Sequence, residues 1–108
     1  MRIAHVDAET GFSGGEKQVL LLMRGLAAAG IEGPLICPPG AAIESRARAQ
    51  GIEVACVPMK SDLDLAAPWR LARVFKERHA DLVHLHTGRA AWLGALAARR
   101  AGLPAVAT

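Results

Sequence analysis

The chain is short of aromatic residues, with no tyrosine, two phenylalanines and two tryptophans among its 108 residues. It still has 52% apolar and 21% charged residues, a balance typical of a folded globular chain. Its core must therefore consist mainly of leucine, valine, isoleucine and alanine. Such residues favour an α/β layer architecture, and the length allows a single domain over residues 1–108.

Paired cysteines, runs of like charge and long apolar runs are also missing. Cys37 and Cys56 have no metal-binding spacing, so we predict free thiols and no metal site. The basic residues are scattered at a net charge of +3, which predicts no nucleic-acid partner but suits a phosphate-bearing ligand or an anionic membrane. No apolar run could span a bilayer and no secretory leader is recognisable. We therefore predict a cytoplasmic location, and peripheral contact with the inner face of the membrane stays open.

Strand-like and helix-like segments alternate along the whole chain. Glycine follows three of the helix candidates, at Gly30, Gly51 and Gly102, and a strand candidate begins directly afterwards. This sequence of helix, glycine and strand is typical of βαβ units and predicts an open parallel Rossmann-like sheet with helices on both faces. The predicted strands are 2–7, 34–37, 52–57, 81–86 and 104–108, and the predicted helices are 16–29, 41–50, 68–79 and 90–101. The apolar last strand would be a bare sheet edge, so we expect further chain or a partner beside it.

The loop Gly-Phe-Ser-Gly-Gly-Glu-Lys-Gln, residues 11–18, joins the first strand to the first helix. In an open parallel sheet this loop lies where ligands bind, and the helix N-terminus behind it attracts anions. We therefore expect a ligand near Gly14 and Gly15. Ser13 and Glu16 also have the spacing of a capping box, so a tight structural turn stays open as an alternative.

Two other families with glycine-rich loops do not fit this segment. Dinucleotide-binding enzymes need a different glycine spacing and an acidic residue after the second strand, where this chain has Cys37 and two prolines. ABC-type ATPases have a signature that resembles the segment 13–18, but they also need a phosphate-binding loop, which this chain lacks.

The order of motifs resembles glycosyltransferase family 4, which has a GT-B fold of two Rossmann-like domains. The resemblance rests on the first strand, the Gly-Gly-Glu loop, the Cys-Pro-Pro-Gly turn at 37–40, the segment Asp-Leu-Val-His-Leu-His-Thr at 81–87 and Gly-Leu-Pro at 102–104. It implies that this chain is the amino-terminal, acceptor-side domain and that the donor-binding domain is absent. It implies an enzyme that transfers sugar, with retention, from a nucleotide-sugar to a glycan or glycolipid acceptor, in cell-envelope synthesis. No metal or other cofactor is implied, and the 108 residues alone are predicted to be inactive. The alternative is a non-catalytic module that pairs with a separate donor-binding chain.

The resemblance also assigns candidate residues. It implies that Gly14, Gly15 and Glu16 reach the donor phosphate and the reaction centre. The predicted acceptor-binding residues are Ser13, Thr87 and Arg89, although Arg89 is as well explained as a solvated loop residue.

Four histidines differ in what their positions predict. His86 ends the fourth strand and is the candidate catalytic residue, either bonding an acceptor hydroxyl or assisting proton transfer, and a structural histidine that bonds loop backbone stays open as the alternative. We expect His84 to face away from His86 and to be structural, and His5 to be packed in the core. His79 is assigned no function.

The third helix carries Arg70, Arg73, Lys76 and Arg78, which suit either a solvated face or a membrane surface. Trp69 and Trp92 stand near helix starts, and we expect both to be packing residues.

Overall fold

The computed structural model describes residues 1–108. Five parallel strands form one sheet, and four helices connect them. The strands are β1 (Ile3–Val6), β2 (Leu35–Cys37), β3 (Val54–Cys56), β4 (Leu82–Leu85) and β5 (Ala105–Ala107). The helices are α1 (Gly14–Ala28), α2 (Ala42–Ala49), α3 (Ala67–Glu77) and α4 (Gly88–Ala101). The α/β class and the number and order of the elements are confirmed.

Two boundary differences are at helix starts. Both α1 and α4 begin two residues earlier than predicted, at Gly14 and Gly88, because Ser13 and Thr87 take the N-cap positions in extended conformations. Glycine has a low helix propensity, which led the sequence pattern to place these residues in loops. The glycine stops are confirmed, since Gly30, Gly51 and Gly102 all have positive φ angles.

The strand order is β3-β2-β1-β4-β5, so the order reverses between β1 and β4. The carboxyl ends of two such strands diverge into loops on opposite sides of the sheet and leave a crevice between them. The register pairs His5 of β1 with His84 of β4. Chain segments almost eighty residues apart in sequence therefore meet at the centre of the sheet.

The core has two parts, one on each face of the sheet. The larger cluster joins β-strand residues such as Val6, Ile36 and Val83 to α3 and α4, and Phe75 at its centre is fully buried. The smaller cluster packs α1 and α2 against Leu35, Cys37 and Val54. The two sets of side chains alternate along each strand, as a sheet covered on both faces requires.

No helix in the structure is both long enough and apolar enough to cross a bilayer.

Candidate functional site

A cleft of about 540 Å³ opens at the carboxyl ends of β1 and β4, where the strand order reverses. One wall is the loop that leads into α1, and the other is the start of α4. The residues that line the cleft are Glu9, Gly11, Phe12, Ser13, Gly15, Glu16, His86, Thr87 and Gly88.

The first wall ends in the N-terminus of α1, where Ser13 is the N-cap residue and Glu16 closes a capping box. The Glu16 carboxylate accepts a hydrogen bond from the Ser13 hydroxyl at 2.7 Å and another from the Ser13 amide at 3.1 Å, as the capping-box spacing predicts. The first backbone bond of the helix runs from the Lys17 amide to the Ser13 carbonyl. The amides of Gly14 and Gly15 therefore have no partner within the helix and remain available to an anion.

A Cβ atom at Gly14 would meet nothing within 4 Å, and one at Gly15 would meet only the Ser13 hydroxyl at 3.8 Å. Packing within this chain therefore does not require glycine at either position. Because glycine has no side chain, the helix N-terminus stays open to the cleft at both positions.

The second wall contains the N-terminus of α4, which Thr87 caps. The Thr87 Oγ1 atom accepts hydrogen bonds from the Ala90 amide at 3.2 Å and from the Ala8 amide at 3.4 Å. The second bond ties this wall to the segment that follows β1. Both lone pairs of the hydroxyl are thus used, and its proton is free to be donated. Two helix N-termini, each with a positive dipole end, flank one cleft.

Three histidines lie together beneath the cleft, on the α1 side of the sheet. His5 Nδ1 and His86 Nε2 are 3.0 Å apart and share a hydrogen bond. The rings of His84 and His86 stack, with centroids 3.9 Å apart. The Nε2 atom of His84 shares a hydrogen bond with the Thr108 hydroxyl. The prediction that His84 faces away from His86 is wrong, because side chains two residues apart on a strand point to the same face. His5 is 2% exposed, as expected of a packed residue, but it also holds His86.

Burial keeps these imidazoles neutral. It lowers the pKa of His86 to about 3, with a further contribution from His84 and His5, and it lowers the pKa of His5 to about 4, with a further contribution from His84. The pKa of His84 is also lowered by burial. The neutral tautomers let each ring donate one hydrogen bond and accept another.

One nitrogen from each of these three histidines lies within 4.8 Å of the others, so the cluster must be considered as a metal site. Zinc–nitrogen bonds of about 2.0–2.1 Å need ligand nitrogens roughly 3.3 Å apart, with each ring plane directed at the ion. The stacked rings of His84 and His86 instead lie side by side, 23° from parallel, so their in-plane lone pairs do not converge. The arrangement fits a hydrogen-bonded pair with a third ring stacked on it.

Asp7 lies at the end of β1, directly below the glycine-rich loop, and sequence reasoning did not assign it to the site. It is fully buried, and its Oδ1 accepts a hydrogen bond from the Glu9 amide at 2.9 Å. Its Oδ2 has no hydrogen-bond partner. Burial, together with the neighbouring Glu16 carboxylate, raises the pKa of Asp7 to about 7. Burial also acts to raise the pKa of Glu16, but the hydrogen bonds from Ser13 and the interaction with the neighbouring Asp7 carboxyl outweigh it and lower that pKa. Asp7 is therefore the protonated member of the pair and Glu16 the ionised one.

Comparison with known proteins identifies the family. A family model described as a glycosyl transferase 4-like domain matches residues 13–108. The chain belongs to this family. No curated protein matches it in sequence.

Solved structures show the same fold. The domain superposes on HepE from Anabaena, solved with UDP and glucose, with a TM-score of 0.80 at 18% identity over 99% of this chain and 29% of that one. It superposes on MurG from Acinetobacter baumannii with a TM-score of 0.82 at 20% identity, over 98% of this chain and 34% of that one. The lipopolysaccharide outer core galactosyltransferase WaaB gives a TM-score of 0.70 at 17% identity, over 99% of this chain and 32% of that one. The glycosyl transferase 4-like domain thus spans about a third of the length of the structures it matches.

The predicted site residues of this glycosyl transferase 4-like domain do not all meet in the cleft. Its lining includes Ser13, Gly15, Glu16, His86 and Thr87, and Gly14 begins the helix beside them. Arg89 turns away, since its Nη1 donates to the Met59 carbonyl at 3.3 Å and its Nε lies 3.5 Å from an Asp62 carboxylate oxygen. An acidic residue that ends a buried central strand was the signal that would have revealed Asp7.

Proposed function

We propose that this chain is the acceptor-side domain of an enzyme that transfers a sugar from a nucleotide-sugar donor to a hydroxyl group of a glycan or glycolipid. The observation that carries the proposal is the cleft at the strand-order reversal, in which two helix N-termini face each other across a histidine. Family membership supports a transferase, and the cleft supplies the chemistry that such a transfer needs.

Sugar transfer from a nucleotide leaves a diphosphate, so negative charge develops on the leaving group. Backbone amides and helix dipoles that point at this charge stabilise it without reorganising during the reaction. The unpartnered amides of Gly14 and Gly15 are suited to this role, and the missing side chains let the phosphate approach the backbone. We assign the donor phosphate to this wall, with Glu16 holding the loop through its bonds to Ser13.

His86 and Thr87 stand on the opposite wall and are assigned to the acceptor. A general base works best when its pKa lies near the working pH, and the pKa of His86, about 3, is far below it. His86 therefore acts as a neutral hydrogen-bonding group that orients the acceptor hydroxyl. His5 supports this role because its hydrogen bond to Nε2 fixes the tautomer and the orientation of the ring.

The family resemblance supports three further features of the reaction: its stereochemistry, its metal requirement and its acceptor. We propose that transfer proceeds with retention, that it needs no metal, and that the acceptor belongs to the cell envelope. The donor's nucleotide is expected to be held by a further domain that faces the cleft, either in the same polypeptide or in a partner chain.

The test is a Gly15→Trp substitution in the complete enzyme, with Gly25→Trp as the matched control. A Cβ atom at Gly25 would meet nothing within 4 Å, and this residue lies in the last turn of α1, away from the cleft. Release of nucleoside diphosphate is measured with a panel of UDP-, GDP- and dTDP-sugars, with and without EDTA. We expect the wild type and Gly25→Trp to turn over one donor equally, and Gly15→Trp to lose about 100-fold or more, as expected for the loss of oxyanion-type stabilisation.

Unchanged turnover by Gly15→Trp, with a native circular dichroism spectrum, would refute the assignment of the loop. A wild type that turns over none of the donors would refute the proposed function itself. Loss of activity with EDTA would refute the metal-free mechanism alone.

A further inference from the structure

A groove of about 360 Å³ lies between α1 and α2, on the face of the sheet that the smaller core cluster covers. One side of it is a stripe of α1 at helical spacing, with Lys17, Leu21 and Arg24. The other side is a stripe of α2, with Arg46 and Gln50 one turn apart. We call this hollow the α1–α2 groove.

The α1–α2 groove is cationic. Lys17, Arg24 and Arg46 have no carboxylate within ion-pair distance, and no acidic residue lines the groove. The Arg46 guanidinium lies 3.9 Å above the centre of the Phe12 ring, which holds the cation at the groove without neutralising it. The N-terminus of α1 adds the positive end of its dipole. An anionic ligand would therefore be attracted to this groove.

Phe12 joins the α1–α2 groove to the candidate cleft, because it lines both. At the other end of the groove, Arg24 also lines a hollow that contains the carboxylates of Glu32 and Glu53, so the cationic part ends there. Nine residues of α1 separate Arg24 from Gly15 in the cleft, which corresponds to a rise of about 14 Å. A ligand that occupies both the cleft and the groove must therefore be an extended chain.

We propose that the α1–α2 groove binds the acidic part of the acceptor, and that the acceptor is an oligosaccharide with carboxylate or phosphate groups along its chain. This assignment rests on the proposed function, which places the reacting hydroxyl in the cleft. The following sugar units pass Phe12, and their acid groups pair with Lys17, Arg24 and Arg46. The Gln50 amide can both donate to and accept from sugar hydroxyls.

The spread of the cations favours a chain of acid groups over a single phosphate. Seven residues separate Lys17 from Arg24, a rise of about 10 Å along α1. An apolar protein partner is disfavoured because it would desolvate three cations without pairing them. The large exposed apolar side chains of Trp69 and Trp92, at 57% and 52% exposure, instead belong to α3 and α4 on the other face of the sheet. The prediction that these tryptophans are packing residues is wrong.

Helix α3 provides a matched control surface. Arg73 and Lys76 are exposed there and have no carboxylate within ion-pair distance. They line a hollow that shares no residue with the cleft and that also contains the carboxylate of Glu77. This pair therefore has the same residue types as Arg24 and Lys17 but no connection to the candidate site.

Binding is measured on the 108-residue chain with three hexasaccharides, by following amide signals in NMR titrations. The probes are uncharged maltohexaose, hexagalacturonate with a carboxylate on every unit, and maltohexaose phosphorylated on its hydroxyls. We expect an acidic hexasaccharide to bind about tenfold or more tightly than maltohexaose and to shift the signals of Phe12, Lys17 and Gln50. Its affinity should fall between about 20 mM and about 0.5 M salt, because screening weakens surface charge pairs. The tighter of the two acidic probes identifies the acid group.

Two double variants with the same net charge separate the groove from the overall charge of the chain. Lys17→Glu with Arg24→Glu reverses two groove cations, and Lys76→Glu with Arg73→Glu makes the same change on α3. We expect the groove variant to lose about tenfold or more in affinity for the acidic hexasaccharide. The α3 variant is expected to bind within about twofold of the wild type.

Equal losses in the two double variants, or equal binding of the charged and uncharged hexasaccharides, would overturn the proposal. Binding without signal shifts in the groove, or no binding of either acidic probe, would also overturn it. The titrations contain no sugar donor. An enzyme that turns over a nucleotide-sugar but whose groove binds no acidic glycan would lose this inference alone. A groove that binds acidic glycans in a protein that turns over no donor would refute the proposed function instead.

Discussion

Replacing Asp7 by asparagine is expected to stabilise the protein at alkaline pH and to have no effect in acid. The carboxyl is fully buried, and its pKa is raised from an ordinary value of 3.8 to about 7, mainly by burial. At pH 8 the folded protein must therefore ionise this buried group. Asparagine keeps the bond from the Glu9 amide, adds a donor toward Glu16 and carries no charge.

The magnitude follows from the difference between the folded and unfolded pKa values. Three pKa units correspond to about 4 kcal/mol at most. Asp7 is electrostatically coupled to Glu16 and lies near a solvent-filled cleft, so we expect the change in the free energy of unfolding to be about 2 kcal/mol. Because the pKa of Asp7 is higher in the folded than in the unfolded chain, its contribution to the free energy of unfolding is fully present below the unfolded pKa of 3.8. This contribution is lost as the pH rises through the folded pKa of about 7. The gain from Asp7→Asn should therefore be near zero at pH 4 and complete at pH 8.

Urea denaturation of the wild type and Asp7→Asn at pH 4 and pH 8 measures this difference. The histidines titrate in both proteins and cancel in the comparison. Glu9→Gln, an exposed carboxylate in the same loop, is the control and is expected to change the free energy of unfolding by less than about 0.5 kcal/mol at either pH. A loss of stability in Asp7→Asn at pH 8, or an equal change at both pH values, would refute a protonated Asp7.

Further predictions concern backbone sterics and acid stability. Gly33→Ala is expected to cost at least about 3 kcal/mol, because its φ is 152° and a Cβ atom would lie 1.9 Å from a backbone oxygen of β1. Gly40→Ala, with φ of 79° and open space, should cost only about 1–2 kcal/mol; equal losses in thermal unfolding would contradict the steric argument. In the Asp7→Asn background, the free energy of unfolding should fall as the pH drops from about 6.5 to about 4. The folded pKa values of His5 and His86 are depressed, so the unfolded chain takes up protons that the folded chain does not. Constant stability over this range would show that these imidazoles are not buried in solution.

Local sequence determined the elements and their ends. The spacing from Ser13 to Glu16 predicted the capping box, because a cap depends only on residues within one helical turn. Gly30, Gly51 and Gly102 marked the helix ends because only glycine adopts a left-handed conformation without strain. The alternation of these elements was sufficient to predict a parallel α/β sheet.

Only the tertiary structure decided which side chains share a site. The pairing of β1 with β4 brings His5 Nδ1 within 3.0 Å of His86 Nε2, and no local pattern contains a contact between residues so far apart in sequence. The buried state of Asp7 follows from the layers on both sides of the central strand, so its pKa is a property of the fold rather than of its neighbours in sequence. The exposure of Trp69 and Trp92 was likewise decided by how α3 and α4 lie together, because the inner stripes of both helices already fill the core and turn the tryptophans outward.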